Sequence, residues 1–386
     1  MSDLVAPRYG AGSLADVMPS AVSVLAGGPD PLGLVPALDG VRRIAVLLVD
    51  GLGYHLLPAV AEVAPVMADV VAGRLGVLTP LTCGFPSTTP VSLVSLGTGV
   101  PPGEHGVLGF TVNIPGTTRV LNHIDWRGDP DPAWWQPVPT QFDRARAAGV
   151  AVSVVSRPEF AGSGLTVAAY RGAGYRGAAD VDALGAEMLA ALSAEAPALV
   201  YGYHPVLDTT GHVFGVGSEP WQAAASEVDR LLGVLVGGLP ADAALLVTAD
   251  HGQLNVPAEQ RFDIDTDARL AAGVRVVAGE PRVRYLHTEP GALDDVLAAW
   301  RAVLGEAAWV ASREEALATG WFGPVPPAHR ERIGDVVVAC QGTYAVLASA
   351  HEPPIVSALV GYHGSYTATE MDIPLIVVRG TVGGAG

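Results

Sequence analysis

Ile44-Ala45-Val46-Leu47-Leu48-Val49-Asp50-Gly51 is the stretch from which the fold is read. Six apolar residues follow one another with no polar alternation. That pattern describes a strand buried on both faces, as in parallel sheets covered by helices. The strand delivers a carboxylate at its tip, and the glycine behind it lets the chain turn closely around a ligand. The same design returns in Ala244-Leu245-Leu246-Val247-Thr248-Ala249-Asp250-His251-Gly252, which adds an imidazole. Elsewhere short β-branched runs alternate with longer Ala/Leu-rich amphipathic segments. Strands are predicted at 43–49, 151–155, 198–203, 244–249 and 374–378, and helices at 54–72, 90–98, 141–148, 180–194 and 219–236. Asp50, Asp208 and Asp250 each follow the C-terminal end of a predicted strand, where open α/β sheets put ligands. Between Gly252 and Gly361 the rhythm becomes irregular, with Pro-rich turns at 324–327 and 353–354. The expectation is one catalytic domain over residues 1–386 with a cap-like region inserted at approximately 253–355.

The chain has 386 residues, 49% of them hydrophobic, enough for a large α/β core. Its formal charge is −17, and every basic side chain apart from histidine is Arg. An acidic surface without Lys argues against a nucleic-acid polymer as partner, because such binding depends on neutralising phosphates. A small anionic substrate stays compatible if metals supply the local positive charge. The GC-rich style of composition suggests a bacterial source. The two cysteines, Cys83 and Cys340, imply no disulfide framework and read as core residues. Ala21 to Ala26 is too short for a signal segment, and no apolar run reaches the length of a membrane span, so a cytoplasmic protein without membrane partners is expected. Oligomeric state is left open.

The chemistry concentrates in seven residues. Asp50, Asp250 and His251 end the two strands, and Asp208 and His212 stand four apart in His204-Pro-Val-Leu-Asp208-Thr-Thr-Gly211-His212. His363 lies in Gly-Tyr-His-Gly, and Thr89 in Phe85-Pro86-Ser87-Thr88-Thr89-Pro90. Three imidazoles and three carboxylates are the N/O set that divalent ions take, and two sites can be assembled from them with a hydroxyl left to attack. Each motif also has a plainer reading. Gly211 favours a loop between Asp208 and His212, and His204 reads as a packing residue. Pro90 suits the first turn of a helix and would make Thr89 its N-cap. Capping and nucleophilic attack then compete for the same oxygen.

The ordered series Val-Asp50-Gly, Phe-Pro-Ser-Thr-Thr89, Thr98-Gly99, Glu104-His105-Gly106, Asp208-x3-His212, Asp250-His251-Gly and His363-Gly resembles the type I phosphodiesterase/nucleotide pyrophosphatase branch of the alkaline phosphatase superfamily, over roughly residues 43 to 379. The resemblance implies an α/β/α sandwich with a mainly parallel sheet and two divalent metal ions, zinc first and manganese second. By position, Asp50, Thr89, Asp250 and His251 would hold the ion that activates the Thr89 nucleophile, and Asp208, His212 and His363 the ion that activates water. Tyr203 lies where the family tends to place a nucleobase-stacking tyrosine. The implied activity is hydrolysis of a small phosphodiester or nucleotide through a threonyl-phosphate intermediate.

One position departs from the family pattern. An asparagine that contacts a phosphate oxygen usually follows the His-Gly-Ile-Val-Gly segment, but His105-Gly-Val-Leu-Gly109 is followed by Phe110. Asn113 and Asn122 are the nearby replacements, and Phe110 and Asn113 are carried as substrate-binding candidates. Trp126, Trp134, Trp135, Tyr203 and Phe214 are candidates to line a leaving-group pocket. Competing readings are a phosphomonoesterase or phosphonoacetate hydrolase-like enzyme with the same metals, and a nucleotide-binding pseudoenzyme. Retention of all seven positions argues against the last.

Overall fold

A computed structural model describes residues 4–194 and 196–381. Its main sheet has seven strands: β1 (Arg43–Val49), β2 (Val77–Thr82), β3 (Ala151–Ser156), β4 (Gly174–Gly177), β5 (Ala198–His204), β6 (Ala243–Thr248) and β7 (Asp372–Arg379). They run in the order β2-β7-β6-β1-β5-β3-β4. From β6 to β4 the pairing is parallel, while β7 is antiparallel to both β6 and β2. β1 sits at the centre with Ile44 to Val49 fully buried, as its unbroken apolar run requires.

Helices cover both faces and complete a three-layer α/β/α sandwich. Val17–Ala26, Thr89–Thr98 and Gln141–Ala147 pack together on one side. Val181–Ala194, Glu219–Gly238 and Pro65–Val71 pack together on the other. The predicted helix 54–72 is divided into a 3-10 turn Tyr54–Leu56 and helices Leu57–Ala61 and Pro65–Val71, because Pro65 lacks an N–H and starts a new helix. Both cysteines are buried and unpaired. Among the described residues, no helix is long and apolar enough to cross a membrane.

Between β6 and β7 the chain builds a second, antiparallel sheet from Val274–Glu280, Val283–Thr288, Val336–Cys340 and Ala308–Ser312, with a core of its own around Leu270, Leu286, Trp300 and Val338. A fully buried ion pair ties it to the main sheet. Arg282 donates from Nε and Nη2 to Glu370 Oε1 (2.9 Å) and Oε2 (2.7 Å). Glu370 also accepts from Ser365 N at 3.0 Å and Thr367 Oγ1 at 2.6 Å, and Ser365 Oγ donates to Cys340 O at 2.6 Å. The inserted sheet thereby grips the loop that carries His363.

Candidate active site

The carboxyl ends of three adjacent strands, β6, β1 and β5, bring Asp250, Asp50 and Asp208 together. Asp50 and Asp250 follow their strands directly. Asp208 lies in the first turn of the helix α2 (Val206–Phe214), so Asp208 and His212 share a helical face. This corrects the loop expected from Gly211. A Cβ at Gly211 would collide with the Gln253 side chain, so the glycine serves close packing within a helix. Gln253 uses that approach to donate to Asp208 Oδ1 (2.9 Å) and Asp208 O (3.2 Å). Gly51, at φ 75°, passes so near Asp208 that a Cβ there would lie 2.9 Å from the Asp208 Cβ. Glycine is thus required on both sides of Asp208.

Thr89 begins the helix α1 (Thr89–Thr98), and Thr88 occupies the N-cap without a side-chain capping bond. The expected register was off by one, which frees the Thr89 hydroxyl from the capping role. Thr89 Oγ1 lies 3.2 Å from His251 Nε2, and Ser92 Oγ fastens the same helix to Asp250 O at 2.7 Å.

Two clusters result. In the first, His251 Nε2 stands 3.2 Å from Thr89 Oγ1, 3.3 Å from Asp250 Oδ2 and 3.6 Å from Asp50 Oδ1. In the second, His212 Nε2 stands 3.3 Å from Asp208 Oδ2 and 3.2 Å from His363 Nε2, and His363 Nε2 is 3.8 Å from Asp208 Oδ1. Donor atoms of Asp208, His212 and His363 lie within 4.8 Å of one another, as do those of Asp50, Asp208 and His251. Asp208 therefore borders both clusters. The rings of His251 and His363, one from each, stack at 3.5 Å and 13°.

Every imidazole is oriented by a carbonyl on its far nitrogen: Gly361 O at 2.7 Å from His212 Nδ1, Ser87 O at 2.8 Å from His363 Nδ1, and Gly252 O at 3.1 Å from His251 Nδ1. A carbonyl only accepts, so each Nδ1 carries the hydrogen and each Nε2 turns a lone pair inward. Asp50 Oδ1 and Asp250 Oδ2 are buried with no hydrogen-bond partner. Asp50 Oδ2 accepts from the Tyr203 hydroxyl, and Asp250 Oδ1 from Gly51 N and His251 N, each at 3.1 Å.

The electrostatics are those of a site short of positive charge. Burial, then the charges of Asp250 and Asp208, push the Asp50 carboxyl well above the usual range. Burial likewise raises Asp250. Burial and the neighbouring His251 push His363 well down. For Asp208 burial is outweighed by His212, His363 and His251, which hold its carboxyl below the usual range. For His212 burial is outweighed by Asp208, which draws it up.

A cavity of about 990 Å³ opens over the clusters. Its walls come from Ile124 to Pro132 and from Ser156 to Val167, with Phe110, Tyr203 and Leu359 completing them. None of the residues lining this cavity belongs to 253–355. Of the candidates for a substrate pocket, Phe110, Tyr203 and Trp126 line the cavity, whereas Trp134, Trp135 and Phe214 do not. Asn113 is absent from the lining because its amide Nδ2 is spent on Thr117 O and Arg119 O, each at 3.0 Å, within its own hairpin. Asn122 Oδ1 likewise accepts from Ile124 N at 2.9 Å. His204 faces a neighbouring cavity and approaches Glu227 at 3.6 Å. Gln253, Ser92 and Ser87 were missed from sequence, although each lies within three residues of a recognised motif.

The family model described as type I phosphodiesterase / nucleotide pyrophosphatase matches residues 44–366. Among solved structures, the murine ectonucleotide pyrophosphatase / phosphodiesterase 5 superimposes with a TM-score of 0.70 at 20% identity, covering 88% of each chain. An inactive threonine-to-alanine form of that protein in complex with AMP matches at 0.70 and 19% identity, again over 88% of each chain. The phosphonoacetate hydrolase of Sinorhizobium meliloti 1021, in complex with phosphonoformate, matches at 0.67 and 20% identity over 89% of this chain and 91% of that one. A search of curated proteins returns no match.

Proposed function

Because the chain belongs to the type I phosphodiesterase/nucleotide pyrophosphatase family of the alkaline phosphatase superfamily, and is thus a phosphoester hydrolase, we propose that it cleaves small phosphodiesters or nucleotides with Thr89 as nucleophile beside two divalent cations. One geometric match carries this reading. Ligands about 2.0–2.1 Å from a tetrahedral ion are separated from each other by about 3.3–3.4 Å. The donor separations of 3.2, 3.3 and 3.6 Å around His251, and of 3.2, 3.3 and 3.8 Å in the second cluster, fall around that edge length. Asp50, Thr89, Asp250 and His251 would hold one ion, and Asp208, His212 and His363 the other. The mixed imidazole and carboxylate donors favour zinc, then manganese.

When bound, the ions supply positive charge to the developing phosphoryl charge and lower the pKa of coordinated oxygen. The residues do the positioning. Thr89 Oγ1, at the positive end of α1, forms a bond to phosphorus as the bond to the leaving oxygen breaks in line. The alcohol leaves with a proton, and water then cleaves the threonyl ester, releasing a phosphomonoester and restoring the hydroxyl. Tyr203 fixes the Asp50 carboxylate, and Gln253 fixes Asp208. The inactivity of the threonine-to-alanine form of the murine relative supports a threonine in this role.

The test is a matched set of chromogenic diester, monoester and phosphonate ester, each with and without zinc. Zinc-dependent turnover with the diester fastest is expected. A fastest phosphonate ester would move the assignment to the phosphonoacetate hydrolase-like reading. No turnover of any of them under metal would overturn it.

A further inference from the structure

We propose that Glu280 is a positioning residue for the nucleophile: its carboxyl engages the Thr88 hydroxyl and so keeps that hydroxyl off the first turn of α1. The inference rests on the reading of Thr89 as nucleophile and adds a residue that no sequence motif announces. Thr88 has the extended backbone of a helix N-cap, φ −134° and ψ 147°, yet its side chain accepts no capping bond. An N-cap oxygen takes the amide hydrogen of the second or third helical residue. Here the second is Pro90, which has none, so the Val91 N–H is the donor open to such a cap. A capping bond is worth about 1 kcal/mol, so a threonine that forgoes it is held by another partner.

Glu280 is placed to be that partner. It ends the strand Val274–Glu280 of the inserted sheet and is buried, as is Thr88. Its carboxyl lies against the backbone of Gly364, where a Cβ would come within 2.8 Å of Glu280 Cδ and 3.1 Å of Oε1. Gly364 is paired in both directions with the residue before Thr88: Ser87 N donates to Gly364 O at 2.9 Å, and Gly364 N to Ser87 Oγ at 3.2 Å. Glu280 Oε1 and Thr88 Oγ1 are both buried atoms that no other described group satisfies. The arginines nearby are committed elsewhere, Arg284 to Glu352 (Nη2 to Oε2, 2.7 Å) and Arg282 to Glu370. Burial pushes the Glu280 carboxyl well above the usual range, and the Thr88 hydroxyl is first among the neighbours that draw it back. Leaving a buried hydroxyl unpaired costs about 1–3 kcal/mol, so loss of the carboxyl sends the Thr88 hydroxyl to the Val91 N–H. That bond takes up part of the positive helix end that faces the phosphoryl group, directly beside Thr89.

The experiment pairs kinetics of the zinc-loaded enzyme on ethyl p-nitrophenyl phosphate with crystal structures of the same variants. Glu280→Met keeps the length of the side chain and removes the acceptor. It should lower kcat about tenfold or more, with KM changed less than about threefold and bound metal as in the wild type. Glu280→Gln still accepts from the hydroxyl and should stay within about threefold of the wild type. Thr88→Val should leave turnover intact, and Glu280→Met/Thr88→Val should recover what Glu280→Met loses, because no hydroxyl is left to cap. A side chain that only packs gives no such rescue. Wild-type kcat in Glu280→Met, or a double variant no faster than the single one, would overturn the proposal. If Glu280→Met does not fold, the double variant, which buries neither group unpaired, decides: folded and active is expected, folded and inactive is the contrary result. The structures read the Thr88 rotamer without turnover. Thr88 Oγ1 should face Glu280 in the wild type and Val91 N in Glu280→Met, and a wild type already capped at Val91 N would overturn the proposal. A wild type with Thr88 on Glu280 that turns over no ester would instead remove the phosphodiesterase reading and leave this placement standing.

Discussion

His212 Nε2 and His363 Nε2 face each other at 3.2 Å while each ring is anchored through Nδ1 to a backbone carbonyl. Two lone pairs are thus aimed at one point beside the Asp208 carboxylate. Such an arrangement is repulsive until a cation lies between them. Chelation should therefore abolish activity and lower Tm, and zinc should restore both better than magnesium, which prefers oxygen octahedra. Full activity in excess chelator, with no metal by elemental analysis, would contradict the assignment.

Asp208→Asn, His212→Ala and His363→Ala should each reduce bound metal from two ions per chain toward one. Gln253→Ala should weaken the same site by about 10–100-fold in affinity, because it loosens a ligand without removing it. Wild-type stoichiometry in all three ligand variants would show that these side chains do not coordinate.

Thr89→Ala should lower kcat by several orders of magnitude while costing only about 1 kcal/mol of stability, since it loses one hydrogen bond and no cap. Thr88→Ala should stay active. The reverse result would put the nucleophile one residue earlier.

Metal binding should release protons. Burial and the neighbouring carboxylates raise the Asp50 pKa, and burial raises that of Asp250, so in the metal-free protein both hold protons at pH values where a free Asp is ionised. A cation drives those protons off, so zinc affinity falls as pH is lowered. The sign for stability is equally definite: with Asp50 and Asp250 binding more protons folded than unfolded, their contribution to metal-free stability falls as pH rises above the ordinary carboxylate range. Calorimetric titration in two buffers of different ionisation enthalpy measures the release, and a buffer-independent enthalpy would refute it.

Diesters should be preferred to monoesters in kcat/KM at one pH. A monoester dianion needs a further cation at its terminal oxygens, and Arg127 is the only Arg or Lys among the lining residues of the cavity. Phe110 adds an apolar contact suited to a substituent. A ratio in favour of the monoester would reverse the preference and leave the metal ligands unaffected.

Much of this architecture is legible because burial on both faces leaves an unmistakable mark on sequence. The run Arg43–Val49 was predicted to the residue, and four further strands to within two residues at either end. The metal-type side chains were found because they sit at strand tips or in glycine-flanked motifs. What escaped detection depends on tertiary contact. Gly211 reads as a loop former until Gln253 is seen against it, and Asn113 reads as a phosphate contact until its hairpin claims the amide. The cavity walls at 124–132 and 156–167 combine irregular loops with short helical turns, and segments that short carry too little periodicity to announce what they line.

The buried pair between Arg282 and Glu370 bears on how far this chain can be shortened. Removing one partner of such a pair strands a charge in the interior, typically at a cost of about 3–5 kcal/mol. Glu370 also holds Ser365, two residues after His363, and Ser365 in turn reaches back through its carbonyl to Ser87 Oγ at 2.6 Å, beside the threonine loop. Excising the second sheet to obtain a minimal hydrolase would unfasten the His363 loop and loosen the Thr89 loop together. The smallest catalytically competent unit therefore includes the insertion.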